Sequence, residues 1–78
     1  MHKPAQKTIE QIERCFVYHP PFGDQATRYR DIREGARLLA RLMSEACPES
    51  RELALALTSL QQAVMWANSA IAIHEVET

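Results

Sequence analysis

The chain has 78 residues, nine basic against ten acidic side chains, and a formal net charge of −1. One domain, 1–78, is all that this length supports, and its core is too small for comfortable stability alone, so we expect oligomerisation. A slightly acidic chain is not expected to bind DNA or RNA polymers, which attract an excess of positive charge. The chain also lacks the apolar run of roughly 20 residues that a membrane span needs, so we expect no membrane partner.

The two cysteines, Cys15 and Cys47, form neither a CxxC motif nor a disulfide framework, which favours a soluble protein of a reducing compartment. Cys15 and His19 are four residues apart, as two metal ligands on one helix would be, but Pro20 interrupts such a helix. We therefore expect no metal or cofactor, a buried Cys15 thiol, and a histidine that belongs to a turn.

No alternating strand pattern is present, so the chain is expected to be all-α. The first predicted helix covers 8–16, with Thr8 and Gln11 fitting a capping box. It ends before "YHPP", because a proline pushes the preceding residue out of the helical region.

A second helix is predicted over 24–46, with Asp24 as its N-cap after Gly23. Gly35 inside this helix either allows a close backbone approach or is a tolerated defect. The apolar residues form one seam at steps of three and four: Tyr29, Ile32, Ala36, Leu39 and Met43.

A third helix is predicted over 48–73, with Pro48 at an early position and Ser50 or Cys47 as N-cap. The short loop before it requires the two long helices to lie antiparallel, so the expected fold is a short helix plus an αα-hairpin. Its apolar seam consists of Leu53, Leu57, Leu60, Val64, Ala67 and Ile71.

The third helix also has a second apolar face, roughly opposite its seam. A hairpin covers only one of these faces, so the second predicts the interface of an obligate homo-oligomer, with a central tryptophan as anchor. The predicted interface residues are Leu55, Ala63, Trp66, Ala70 and Ile73.

No glycine-rich phosphate loop, HExxH motif or paired-carboxylate signature is present, so we expect no enzyme. His2 and His74 are expected to be solvated, and the C-terminal "HEVET" to be a frayed, solvated end.

The modestly acidic chain, with its arginines and aromatic residues in one segment, favours a small anionic ligand over a nucleic-acid polymer. The turn before the second helix carries Tyr18 and His19, and Arg28 and Arg33 flank Tyr29 at the start of that helix. Aromatic faces and guanidinium forks suit a nucleotide. The alternative is that Phe16, Tyr18 and Phe22 pack the short helix onto the hairpin while the arginines are solvated.

The start of the third helix leaves a similar choice. Its free N–H groups favour an anion, and Ser50 and Arg51 add donors. The alternative is a capped helix in which Arg51 pairs with a nearby glutamate. Thr58 and Asn68 are polar residues within the helix, where inter-helix hydrogen bonds are the commoner role.

Four segments together carry a family resemblance: "F-x-YHPP" (16–21), "QATRYRDIR" (25–33), "CPESRE" (47–52) and "LALTSLQQAVMWANSAIA" (55–72). They resemble the small phage-encoded helical-hairpin family of anti-CBASS cyclic-nucleotide sponges, whose hairpin also occurs in one class of anti-Thoeris sponge.

The resemblance implies a non-enzymatic protein that sequesters cyclic dinucleotides and, as in some members of the family, cyclic trinucleotides, and so blocks anti-phage signalling. It implies a homohexamer in the cytoplasm of the infected or lysogenic bacterial host. Dinucleotide pockets would lie between protomers, and separate threefold pockets would take trinucleotides.

The resemblance carries base stacking over to Tyr18 and phosphate binding to Arg33 or Arg28, where other members have lysines. Together with the residues singled out above from the sequence, the expected dinucleotide set is Tyr18, His19, Arg28, Tyr29 and Arg33. The expected trinucleotide set is Ser50, Arg51 and Thr58.

Two rival functions stay open. A helical protein-interaction or regulatory module would use the apolar seam without any nucleotide. A nuclease acting on the same messengers is disfavoured, because no metal or acid–base site is apparent.

Overall fold

The computed structural model describes residues 1–76. Within this range the chain forms three helices and no strand: α1 (Gln6–Cys15), α2 (Gln25–Ala46) and α3 (Arg51–His74). The all-α prediction is confirmed for this part of the chain.

The start of α1 differs from the prediction. The helix begins at Gln6 and not at residue 8, so the capping box assigned to Thr8 is wrong. Ala5 is the N-cap, with an extended backbone after Pro4, and its carbonyl accepts the Ile9 N–H at 3.1 Å. Gln6 and Lys7 are good helix formers, which lets the helix extend back to this point.

The entry into α2 depends on a glycine. Gly23 has φ = 57°, a left-handed conformation that only glycine adopts without strain. Asp24 is the N-cap of α2, but its side chain caps no backbone N–H. Its Oδ1 accepts a hydrogen bond from Arg28 Nε at 3.1 Å instead.

The start of α3 is set by Ser50, one of the two N-caps that the sequence left open. Ser50 Oγ accepts the Leu53 N–H at 3.1 Å and donates to the Pro48 carbonyl at 3.0 Å. Pro48 therefore precedes the helix, which begins at Arg51 and not at residue 48. At its other end α3 reaches His74, one residue beyond the prediction, and this histidine is exposed as expected.

The hairpin of α2 and α3 is a thin layer. Leu53, 6% exposed, is the only buried hydrophobic residue in the described chain, and the rest of the α3 seam is half-buried. The chain extends 49 × 38 × 13 Å, and its smallest dimension is close to the ~10–12 Å diameter of one helix. Its radius of gyration, 16.9 Å, exceeds the roughly 11.5 Å expected of a compact domain of this length.

The helix α1 borders the C-terminal half of α3 across an open cleft of about 310 Å³. Gln11, Arg14 and Cys15 line it from α1, opposite Trp66 and Ala70. No α1 residue is buried, and Cys15 is exposed. The expected burial of its thiol is wrong, because a cleft separates it from α3.

Candidate functional site

The turn between α1 and α2, residues 16–23, is called the aromatic turn below. Tyr18 is 81% exposed and Phe16 is 85% exposed, whereas Phe22 is half-buried. Two of the three rings therefore do not pack the short helix onto the hairpin. The Tyr18 ring is free to stack on a flat ligand.

His19 holds the aromatic turn to the end of α1. Its Nε2 donates to the Arg14 carbonyl oxygen at 2.7 Å, and the side chain is half-buried. The ring thus fixes the backbone next to Tyr18, while its Nδ1 has no hydrogen bond within the described residues.

Arg28 is engaged in an ion pair that the sequence analysis missed. Its Nη1 and Nη2 donate to Glu75 Oε2 and Oε1, both at 2.6 Å. The hydrogen bonds from Arg28, and next from Gln25, lower the pKa of Glu75 from its ordinary 4.5 to about 2. The same contact with Glu75 raises the pKa of Arg28.

This pair corrects the expectation of a frayed C-terminal end. Glu75 is fixed against the start of α2, although it lies 47 residues from Arg28 in the chain. Residues 77 and 78 lie outside the described residues. Helical periodicity in the sequence does not predict this contact, because the contact depends on where the end of α3 lies relative to α2 in the folded chain.

Arg33 and Tyr29 line two surface depressions between α2 and α3, together called the hairpin groove below. Arg33 and Arg37 line one of them, of about 410 Å³, over an apolar floor. Tyr29, one turn before Arg33, lines the other with Asn68 and Ser69. Arg33 forms no ion pair with any residue of the described chain, so its guanidinium is the freer of the two phosphate-binding candidates.

Asn68 is an unexpected feature of this groove. Its Oδ1 is buried and has no hydrogen-bond partner among the described residues, so the expected inter-helix hydrogen bond is not made through this oxygen. A buried, unpaired carbonyl costs about 1–3 kcal/mol. The groove therefore contains an unsatisfied acceptor near Tyr29, which no sequence motif indicated.

The three trinucleotide candidates lie on the first two turns of α3. The Ser50 hydroxyl is occupied by capping, as described above. Arg51 and Thr58 are exposed and seven residues apart, so they lie on one helix face. Arg51 forms no ion pair within the described residues, and the alternative of a glutamate partner is not realised there.

One chain does not assemble the dinucleotide candidates into one pocket. His19 borders a depression of about 280 Å³ near Glu75, whereas Tyr29 and Arg33 line the hairpin groove and Tyr18 projects into solvent. Among the described residues no group of His, Cys, Asp and Glu could hold a metal ion. None of the helices described is long and apolar enough to cross a membrane.

The predicted interface residues are exposed, with one exception. Trp66 is 75% exposed, Leu55, Ala63 and Ala70 are also exposed, and Ile73 is half-buried. The sequence analysis missed a second patch: Leu38 and Leu42 on α2, each 60% exposed. Their spacing of four residues could have indicated this patch, but both residues lie on a different face of α2 from its predicted apolar seam.

Comparisons with known proteins give a family for the hairpin. The Acb2/Tad1 hairpin domain matches residues 8–72, which include the aromatic turn, α2 and nearly all of α3. The curated proteins and the solved structures gave no match. The chain therefore belongs to the Acb2/Tad1 hairpin-domain family, the family of anti-CBASS and anti-Thoeris sponges known for sequestering cyclic nucleotides.

Proposed function

We propose that this protein sequesters cyclic oligonucleotide messengers of bacterial anti-phage defence without cleaving them. Within a family of non-enzymatic sponges, the observation that carries the proposal is the exposed ring of Tyr18 on the aromatic turn. An exposed aromatic ring gains free energy when another apolar surface covers it. A nucleobase is a flat partner that can stack on such a ring. The messengers arise in the host cytoplasm, where we expect the protein to act.

The proposed working form is a homo-oligomer, for which the family resemblance favours a hexamer. The single chain exposes 6679 Å², whereas a compact monomer of this mass exposes about 4800 Å². The excess, about 1900 Å² on one chain, is roughly twice the ~800 Å² that each partner buries in a standard protein interface. Trp66 and Leu55 on α3 and Leu38 and Leu42 on α2 supply the apolar part of that surface.

A cyclic dinucleotide would bind where protomers meet, because one chain does not bring its candidates together. Tyr18 would stack on a base, with His19 and Tyr29 beside the ligand. Arg33 is our first choice for the phosphate, since no carboxylate of residues 1–76 holds it. Arg28 would serve as a phosphate ligand only by leaving Glu75.

A cyclic trinucleotide would bind at a threefold contact between α3 N-termini. Arg51 and Thr58 offer free donors on one face of the helix, and the first N–H groups of α3 favour an anion. Ser50 would contribute mainly by fixing the helix start, because its hydroxyl already has two hydrogen bonds.

Calorimetry with a panel of cyclic dinucleotides and trinucleotides tests the proposal, with the linear dinucleotides as matched controls. We expect sub-micromolar binding of at least one cyclic ligand and its intact recovery after the protein is heated. No binding across the panel would leave the helical interaction module, which the exposed apolar faces also suit. Steady loss of the ligand would instead indicate a nuclease.

A further inference from the structure

A network of side chains ties the C-terminal segment to the aromatic turn. Gln25, 2% exposed, is the only buried polar residue in the described part of the chain. Its Oε1 accepts the Phe22 N–H at 3.1 Å, and its backbone N–H donates to the Phe22 carbonyl at 3.1 Å. Both backbone polar groups of Phe22 are thus bound by a single residue at the start of α2.

The orientation of the Gln25 amide depends on Glu75. Gln25 Nε2 donates to Glu75 Oε1 at 2.9 Å, which leaves Oε1 of Gln25 directed at Phe22. Arg28 holds the same carboxylate in a bidentate pair, which fixes both its position and its plane. We call this chain of contacts, from Arg28 through Glu75 and Gln25 to Phe22, the clasp.

The aromatic turn has few other restraints. Within the turn itself, residues 16–23, the remaining polar contacts of the described residues are the His19 contact with Arg14 and the Phe16 N–H on the Ile12 carbonyl. Both restrain the α1 side of the turn. The clasp is the restraint on its α2 side.

We propose that Glu75 is a positioning residue for the aromatic turn, acting through Gln25, and that the clasp holds Tyr18 ready for its ligand. Arg28 then serves the site by orienting Glu75 and not by binding phosphate. The consequence for ligand affinity rests on the proposed function, whereas the restraint on the turn does not.

Amide hydrogen exchange of the free protein tests the restraint without any ligand. Glu75→Ala is expected to speed exchange of the Phe22 amide at least tenfold, and the matched variant Glu45→Ala, an exposed glutamate at the far end of α2, to leave it unchanged. Gln25→Met keeps the length of the side chain and the Arg28–Glu75 pair but removes the amide, and should give the same increase. Unchanged exchange at Phe22 in both Glu75→Ala and Gln25→Met would overturn the proposal.

A double variant separates positioning from general loss of stability. If Glu75 acts through Gln25, adding Glu75→Ala to Gln25→Met should cause no further rise in Phe22 exchange. A further rise of tenfold would mean that Glu75 acts by another route and would contradict the proposed one. Circular dichroism of each variant verifies that the three helices remain.

The ligand arm uses whichever cyclic dinucleotide the wild-type protein binds in the calorimetric panel. Glu75→Ala should weaken that binding about tenfold relative to Glu45→Ala, and Tyr18→Ala should remove most of the difference between the two variants. Equal affinity of Glu75→Ala and Glu45→Ala would overturn the positioning role in binding. If the wild-type protein binds no ligand, the proposed function fails, and the exchange experiment still decides the clasp.

Discussion

Tyr18 has an exposed ring and lies in a turn that is restrained on both sides of it, at His19 by Arg14 and at Phe22 by Gln25. A stacking residue benefits from such restraint, because less conformational freedom is lost when the ligand binds. The ring itself packs on nothing that folding requires. Its replacement should therefore affect binding and leave stability nearly unchanged.

Tyr18→Ala should weaken binding of a cyclic dinucleotide by about 1–3 kcal/mol, the usual value of one base-stacking contact. Phe16→Ala is the matched control, because it removes an equally exposed ring from the same turn. Calorimetry measures both affinities, and sedimentation verifies the assembly. Equal losses for the two variants would remove Tyr18 from the site.

The Arg28–Glu75 pair also predicts a dependence of stability on pH. The folded-state pKa of Glu75, about 2, lies below its unfolded value near 4.5, so the pair stabilises the fold fully above that unfolded value. The contribution falls as the pH drops from about 4.5 toward 2. Both side chains are more than a third exposed, so solvent screens the effect.

Urea unfolding of the wild type and of Glu75→Gln between pH 2 and pH 7 measures this contribution. We expect the wild type to be the more stable at neutral pH and the difference to shrink as the pH approaches 2. Glu45→Gln, a glutamate without an ion pair in the described structure, should show no such trend. A difference that does not change with pH would contradict the role assigned to the pair.

At the scale of the helices, a side-chain cap fixes the start of α3 but not the start of α1 or α2. Thr8 fitted a capping box in the sequence, but α1 extends past it to Gln6, whereas Ser50 caps α3 directly. The two outcomes differ because the residues before Thr8 are themselves helix formers, while Pro48 and the turn after it stop α3 from extending further back.

Ser50→Ala should lower the free energy of unfolding by about 0.5–2 kcal/mol, because the Leu53 N–H loses its acceptor. Ser59→Ala, an exposed position inside α3, is the matched control and should be neutral or slightly stabilising. Thermal or chemical denaturation compares the two. A control that loses as much stability as Ser50→Ala would argue against the cap.

Arg51→Ala should weaken trinucleotide binding and leave dinucleotide binding unchanged, if the N-termini of α3 form a separate site. A charge-assisted hydrogen bond of this kind contributes about 1.5–3 kcal/mol. Arg41→Ala, which removes an exposed arginine from α2, is the control. Parallel loss for both ligand classes would indicate a single shared pocket or a damaged fold.

At the scale of the whole molecule, the isolated chain is a flat layer with apolar residues on its outer surfaces. Leu53 is its one buried apolar residue in the described range, and a layer about 13 Å thick cannot enclose a core. Exposed apolar patches of this kind mark interaction surfaces. The ligand site and the stability of the fold therefore both depend, in our proposal, on neighbouring copies.

Trp66→Glu should dissociate the oligomer, because a charge replaces the proposed anchor of the interface. Gln6→Glu adds the same charge at the exposed start of α1 and should leave the mass unchanged. Analytical ultracentrifugation measures both. A Trp66→Glu protein that sediments at the mass of the wild type would refute this interface.

The sequence by itself determined the three helices, the antiparallel hairpin and the position of the aromatic turn, because periodicity, prolines and caps act over a few residues. It also identified the family, through the segments around Tyr18 and Trp66. Only the tertiary structure decided that Arg28 is held by Glu75 and that the Asn68 carbonyl oxygen has no partner within the described chain. The physical reason is distance along the chain. Arg28 and Glu75 are 47 residues apart, and no local sequence pattern encodes which side chains of α2 and of the α3 region meet in the fold.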